Sequence, residues 1–287
     1  MVQLCCEKAY WTFIKAKAKS SFSEVQIARR IKEGRGQGHG KDYIPWLTVQ
    51  EVPSSGRSHR IYSHKTGRVH HLLSDLELAV FLSLEWESSV LDIREQFPLL
   101  PSDTKQIAID SGIKHPAIRS VDQVMSTDFL VDCKDGPFEQ FAIQVKPAAA
   151  LQDERTLEKL ELERRYWQQK QIPWFIFTDK EINPVVKENI EWLYSVKTEG
   201  VSAELLAQLP TLAHILQEKG DENIINVCKQ VDITYDLELG KTLSEIRALT
   251  ANGFIKFNIY KSFRANKCAD LCISQVVNME ELRYVAN

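Results

Sequence analysis

The chain has 287 residues, of which 44% are hydrophobic and 26% charged, and its formal net charge is −3. This composition is typical of a globular protein and disfavours a disordered chain or a collagen-like repeat. No apolar run approaches the roughly 20 residues of a membrane-spanning helix. The first residues lack a basic region followed by a long apolar core, so we expect no secretory signal. The six cysteines are too few for a disulfide framework in a chain of this length. We therefore predict a reduced, cytoplasmic protein with no membrane partner.

The charge is unevenly distributed along the chain. Residues 29–71 contain nine Lys or Arg against three acids, which gives this segment a net charge of +6, and they also contain five histidines. A concentrated basic segment favours a polyanion such as nucleic acid as partner. A solvated loop rich in charges is the alternative interpretation.

The N-terminal part begins with a leading segment, residues 1–19, that we expect to be flexible. Ser23 followed by Gln26 forms the pattern of a capping box, which predicts a helix start at this point. Alternating glycines from Gly34 onward predict that the helix ends by Glu33.

The central part, up to residue 182, predicts a mixed α/β domain. A helix is expected to start at Ser74 or Asp75, and apolar or alternating runs predict further elements. These are strands at 90–96, 126–132 and 141–146, a helix at 153–171 and a buried strand at 173–178. The order β–β–β–α–β predicts a mixed sheet within a domain spanning residues 20–182.

After residue 182 the sequence pattern changes from mixed strands and helices to mainly helices. Helical patterns at 185–197, 202–218, 222–230 and 242–249 precede a candidate hairpin that pairs 254–257 with 270–274. This order predicts a mainly helical, winged-helix-like domain over residues 183–287. The domain has 11 Lys or Arg against 14 acids, so we expect it to bind mainly protein.

The strongest chemical signal is Asp128 on one predicted strand and Gln144 with Lys146 on the next. Residues two apart on a strand share a face, so all three side chains can reach one site. A carboxylate is a hard oxygen ligand for Mg²⁺, and a lysine beside it can orient or activate water. A second acid could come from the helix start, where Glu77 and Asp75 are equal candidates. A solvent-facing strand surface is the structural alternative.

Four stretches carry a resemblance to a known family. They are residues 21–31, 56–77, 126–128 and 144–147. They closely resemble the TnsA family, the endonuclease subunits of heteromeric cut-and-paste DNA transposases. The resemblance implies a restriction-endonuclease-like core followed by a winged-helix-like domain. It also implies Mg²⁺-dependent cleavage at the 5′ ends of the transposon, with Mn²⁺ able to replace Mg²⁺. The implied partners are transposon-end DNA, an integrase-type TnsB-like transposase and a TnsC-like ATPase regulator.

Carried over by position, the resemblance assigns Glu77, Asp128 and Lys146 as catalytic residues. Gln144 stands where most nucleases of this superfold have Asp or Glu, so we expect its backbone carbonyl to complete a metal site with Glu77 and Asp128. The basic segment is expected to clamp DNA phosphates through Arg57, Arg60, Arg68, His70 and His71. Two other functions stay open. One is a non-catalytic DNA-binding adaptor with a decayed nuclease core, and the other is a stand-alone restriction or repair nuclease.

Overall fold

The computed structural model describes residues 22–52, 57–197 and 201–273. The predicted leading segment, residues 1–19, lies outside this part of the chain. The helices are α1 (Glu24–Lys32), α2 (Asp75–Trp86), α3 (Pro101–Ser111), α4 (Glu154–Gln169), α5 (Pro184–Lys197), α6 (Ala203–Glu218), α7 (Ile224–Thr234) and α8 (Lys241–Ala251). The strands are β1 (His59–Tyr62), β2 (Val69–Leu72), β3 (Val90–Pro98), β4 (Ala117–Ile118), β5 (Val121–Asp122), β6 (Ser126–Cys133), β7 (Gln140–Val145), β8 (Trp174–Phe177), β9 (Ile255–Lys256) and β10 (Cys272–Ile273).

A four-stranded mixed sheet with the order β3-β6-β7-β8 forms the centre of the first domain. Strand β6 is antiparallel to both neighbours, with Phe129 opposite Glu95 on β3 and opposite Ile143 on β7. Strands β7 and β8 are parallel, as the crossover through α4 requires. The predicted mixed α/β architecture is confirmed.

Helices cover both faces of this sheet. Odd-numbered residues such as Phe129 and Ile143 pack with Phe81 of α2 and Ile190 of α5. Even-numbered residues such as Leu130 pack with the helices α3 and α4 on the other face. The period of two along each strand therefore separates two apolar cores and leaves the strand ends available for polar groups.

The predicted helix starts are correct because local capping decides them. The Ser23 hydroxyl accepts from the Gln26 N–H, and the Gln26 side chain accepts from the Ser23 N–H, which completes the capping box. Helix α2 is capped by Ser74, whose hydroxyl accepts from the Glu77 N–H at 3.1 Å. This cap places Glu77 in the first helical turn.

The structure corrects one prediction about the first domain and adds elements that were not predicted. The strand β8 is not buried but lies at the sheet edge, where Phe175 is 41% exposed. The basic segment contains the antiparallel hairpin β1–β2, which was not predicted. Helix α3 was not predicted from the sequence.

The C-terminal helices and hairpin form a second core. Helices α6, α7 and α8 pack around Leu209, Ile246 and Leu249, and β9 pairs with β10 in an antiparallel hairpin. The predicted helices and hairpin are present, while Ser274 lies beyond the described residues. Helix α5 contributes Ile190 to the first core and Trp192 to the second. The boundary between residues 182 and 183 stays a prediction, because α5 belongs to both cores.

Across residues 22–52, 57–197 and 201–273, no helix has both the length and the apolar character needed to cross a bilayer.

Candidate active site

Two buried carboxylates converge where α2 meets the end of the sheet. Glu77 and Asp128 are each 7% exposed. The amide Nε2 of Gln96 lies 3.3 Å from Glu77 Oε2 and 3.4 Å from Asp128 Oδ1. A single amide group therefore bridges the two acids. Asp75 instead lies 2.7 Å from His59 Nε2, so the structure places Glu77, and not Asp75, beside Asp128.

Glu77 is held in an environment that disfavours its charge. Its carboxylate accepts from the Leu73 N–H at 2.8 Å and from the Ser74 hydroxyl at 3.0 Å. Burial and the neighbouring Asp128 charge nevertheless raise the pKa of Glu77 to about 8. Two adjacent carboxylates in a buried site ionise together only at a high electrostatic cost. A cation placed between them would remove that cost.

Lys146 supplies positive charge at the same point. Its ammonium lies 3.4 Å from Asp128 Oδ2 and 2.9 Å from the carbonyl oxygen of Val145. Burial lowers the pKa of Lys146, but the charges of Asp128 and Glu163 outweigh burial, and the net pKa is raised. The side chain therefore stays protonated at neutral pH. It can orient a ligand by donating hydrogen bonds, whereas a role as proton acceptor is disfavoured.

The backbone and side chains of β7 fix the position of Asp128. The Val145 N–H donates to Asp128 Oδ2 at 2.8 Å. The Gln144 side chain accepts from the Asp128 N–H at 3.2 Å. Gln144 is therefore a positioning group for the aspartate, and its amide oxygen is already in use.

The predicted use of the Gln144 backbone carbonyl needs correction. The Lys146 N–H donates to the Phe177 carbonyl beside β8. Peptide groups of alternate residues on a strand point to the same neighbour, so the Gln144 carbonyl also points to β8 and away from Asp128. The carbonyl directed toward the carboxylates is that of Val145. The Lys146 ammonium donates both to this carbonyl and to Asp128. The sequence could not show this, because the direction depends on which strand pairs on each side.

Glu163 on α4 is a further buried acid that sequence reasoning missed. It accepts from the Thr127 hydroxyl at 2.5 Å and from the Trp174 indole N–H at 2.9 Å. Burial raises the pKa of Glu163 to about 7, although these two hydrogen bonds act to lower it. The signal in the sequence was an acid on the apolar side of α4, next to Leu162.

Gln96 was also missed, and its backbone is unusual. It lies in β3 with φ +48°, in the left-handed region, and is 2% exposed. Such a conformation costs a residue other than glycine about 1–3 kcal/mol. The Gln96 carbonyl accepts from the Trp46 N–H at 3.2 Å, which holds the strained position. The strain directs the amide at Glu77 and Asp128.

A cavity of about 580 Å³ opens onto this site. Gln144, Lys146 and Glu163 line it, together with Arg155 and Lys159. A concave surface that presents Lys146, Arg155 and Lys159 beside buried acids is suited to a polyanionic substrate.

Two of the predicted DNA contacts, Arg68 and His70, are internal in this structure. The guanidinium of Arg68 lies 2.6 Å from Glu95 Oε2, and its side chain is 9% exposed. His70 is fully buried, with Nδ1 at 2.9 Å from the same oxygen. These hydrogen bonds and ion pairs hold the pKa of Glu95 far below its usual value, although burial opposes them. Arg68 and His70 therefore stabilise a buried charge, and their charged groups are engaged within the protein.

Other cations of the basic segment differ in accessibility. Arg35 pairs with Glu51 at 2.8 Å, so part of the +6 charge is neutralised locally. Burial lowers the pKa of His71, which favours its neutral form. Arg57 and Arg60 are exposed, and Arg57 lies 3.3 Å from Asp75. Of the five predicted contacts, Arg57 and Arg60 are the cations that solvent reaches.

Comparisons with known proteins show the family of the chain. A family model described as TnsA-like endonuclease N terminal matches residues 87–179, and one described as TnsA endonuclease C terminal matches residues 181–259. The first match contains Gln96, Asp128, Lys146 and Glu163, while Glu77 precedes it. The chain is 97% identical over 272 residues to the transposon Tn7 transposition protein TnsA of Escherichia coli, which covers 95% of this chain and 100% of that protein.

Proposed function

The chain belongs to the TnsA family of DNA endonucleases, and on that premise we propose that it is the subunit of a DNA transposase that cleaves the 5′ ends of the transposon in a Mg²⁺-dependent reaction. The observation that carries the proposal is the convergence of Glu77 and Asp128 on one amide, with Lys146 3.4 Å from Asp128. Metal-assisted phosphodiester hydrolysis uses carboxylates that hold the ion and a cationic side chain that donates hydrogen bonds.

The residues present fit a magnesium ion. Mg²⁺ prefers carboxylate and carbonyl oxygens, and the site offers Glu77, Asp128 and the Val145 carbonyl. The raised pKa of Glu77 is a further indication, because two buried acids without a cation retain a proton at neutral pH. Mn²⁺ has the same ligand preference and should replace Mg²⁺. When bound, the ion would neutralise charge on a phosphate oxygen and lower the pKa of water.

The chain's own residues position the reacting groups. Lys146, protonated at neutral pH, donates hydrogen bonds toward a phosphate oxygen or an attacking water. Gln144 holds Asp128 through the Asp128 N–H. Gln96 holds the two carboxylates together through its amide. These contacts reduce the reorganisation that the site would otherwise need during cleavage.

DNA would enter along the cavity that Lys146 lines. Arg155 and Lys159 on the cavity wall, together with the exposed Arg57 and Arg60, would contact phosphates without reading bases. Sequence choice would then depend on a partner, for which we propose a TnsB-like transposase that acts on the 3′ ends. The acidic C-terminal region, residues 183–287, would dock a TnsC-like ATPase regulator.

Reconstituted cleavage of labelled transposon-end DNA tests the assignment. Asp128→Asn should abolish 5′-end cleavage with Mg²⁺ or Mn²⁺ and leave assembly intact. Asp75→Asn is the matched control. Asp75 lies two residues before Glu77 on α2 but pairs with His59, so this variant should cleave normally. Undiminished cleavage by Asp128→Asn would exclude this site and favour the adaptor function. Efficient cleavage by the chain without partners would favour a stand-alone nuclease.

A further inference from the structure

A second group of metal-ligating side chains lies away from the nuclease site. His39 Nδ1 is 3.4 Å from Asp92 Oδ2 and 3.5 Å from Asp132 Oδ2. Asp92 on β3 is directly opposite Asp132 on β6. Asp132 is four residues along β6 from Asp128, which corresponds to about 13 Å. The group therefore occupies the opposite end of these strands from the nuclease carboxylates.

We propose that His39, Asp92 and Asp132 bind a transition-metal ion of the Zn²⁺ class. All three ligand atoms lie within 4.8 Å of one another. In a tetrahedral zinc site with bonds of about 2.0–2.1 Å, ligand atoms are about 3.3–3.4 Å apart. The distances from His39 to the two carboxylates, 3.4 and 3.5 Å, match that spacing closely. An imidazole in the set favours Zn²⁺ over Mg²⁺.

The hydrogen bonding of Asp92 is an independent indication of a ligand. Asp92 is 7% exposed, and its Oδ1 is buried with no hydrogen-bond partner among the described residues. Its Oδ2 accepts from the Gly40 N–H at 3.0 Å and also lies 3.4 Å from His39 Nδ1 and 3.9 Å from Arg94 Nε. A buried carboxylate oxygen without a partner is costly. A cation bound by this carboxylate would compensate that cost.

The surroundings are compatible with a divalent cation. Arg94 Nη2 donates to both oxygens of Asp132 at 2.7 and 2.9 Å, which fixes the orientation of that ligand. The two aspartates and Arg94 together carry one net negative charge, so a divalent ion is not repelled. The His39 side chain is 71% exposed, which leaves an entry path and a fourth position for water.

The position of the site indicates a structural role. His39 belongs to the glycine-rich loop that follows α1, whereas both aspartates lie on the central sheet. A bound ion would fasten this loop to β3 and β6. The same loop is connected to Arg68, whose Nε donates to the Gly40 carbonyl at 3.0 Å. We therefore expect the ion to raise thermal stability and to leave cleavage chemistry unchanged.

The test uses the full chain with Asp128→Asn, so that the nuclease site lacks one of its two metal-ligating carboxylates, after treatment with a chelator. Titration with Zn²⁺, and with Co²⁺ as a visible probe, should show one bound ion and a rise in melting temperature. His39→Ala should lower the affinity at least about 10-fold, because ligand loss should cost no less than loss of an outer-shell partner.

The matched control is His214→Ala. His214 is also 71% exposed and lies 3.5 Å from a single carboxylate, that of Glu218. This variant should bind Zn²⁺ and Co²⁺ with unchanged affinity. Absence of binding in the Asp128→Asn protein, or equal affinities for it and the His39→Ala variant, would overturn the proposal. Both histidines are exposed, so neither substitution should impair folding.

Discussion

Replacing Glu77 by Gln should stabilise the metal-free protein at alkaline pH while abolishing cleavage. Burial and the Asp128 charge raise the pKa of Glu77 from 4.5 to about 8. Gln has nearly the shape of a protonated carboxyl group and carries no charge. The substitution therefore removes an unfavourable ionisation without opening a cavity.

The sign and size of the effect follow from proton linkage. Between pH 4.5 and about 8 the folded chain keeps a proton on Glu77 that the unfolded chain has released. The free energy of unfolding therefore falls by about 1.4 kcal/mol per pH unit in this window. The whole window corresponds to a loss on the order of 3–5 kcal/mol, complete above pH 8. The Gln variant does not incur this loss. The difference in free energy of unfolding between the variant and the wild type should therefore grow from zero near pH 4.5 to on the order of 3–5 kcal/mol at pH 9.

Urea unfolding at pH 5, 7 and 9 in the presence of a chelator measures this difference. Added Mg²⁺ should then stabilise the wild-type protein more than the variant. Glu161→Gln is the control, because hydrogen bonds from Arg164 lower the pKa of Glu161 to about 2 and the substitution should give no gain at any pH. A stability difference between wild type and Glu77→Gln that does not change with pH would refute the reasoning.

Three further outcomes are expected. Lys146→Met should slow single-turnover cleavage by at least about 100-fold with DNA affinity nearly unchanged, since the lysine donates at the reacting group; a parallel loss of affinity would contradict this. Arg68→Met should lower the free energy of unfolding by about 3–5 kcal/mol, because Glu95 is left buried and charged, and should not alter the salt dependence of DNA binding. Arg60→Ala should flatten that salt dependence by roughly one unit, as expected for one lost phosphate contact; an unchanged slope would exclude the contact.

Features set by local interactions were predictable from the sequence. The capping pattern of Ser23 and the helix start at Ser74 depend on residues three positions apart, and both are correct. The mixed sheet followed from alternating strands and one crossover helix. The burial of Arg68 could not be predicted in this way. Its partner Glu95 is 27 residues away and is brought close only by packing of β2 beside β3. The sequence therefore predicted a DNA-binding surface over the whole basic segment, although part of this segment is internal.

The contact between Gln96 and the two acids also depends on the pairing of strands that are distant in the sequence. A strand pattern describes Gln96 as an ordinary extended residue, yet its φ of +48° turns its amide toward Glu77 and Asp128. Only the antiparallel pairing of β3 with β6 brings the amide and Asp128 together. The amide donates to both acids but adds no charge, so it keeps them together without neutralising them. Burial and the neighbouring Asp128 charge raise the pKa of Glu77 to about 8, so the pair is ready to exchange a proton for a metal ion.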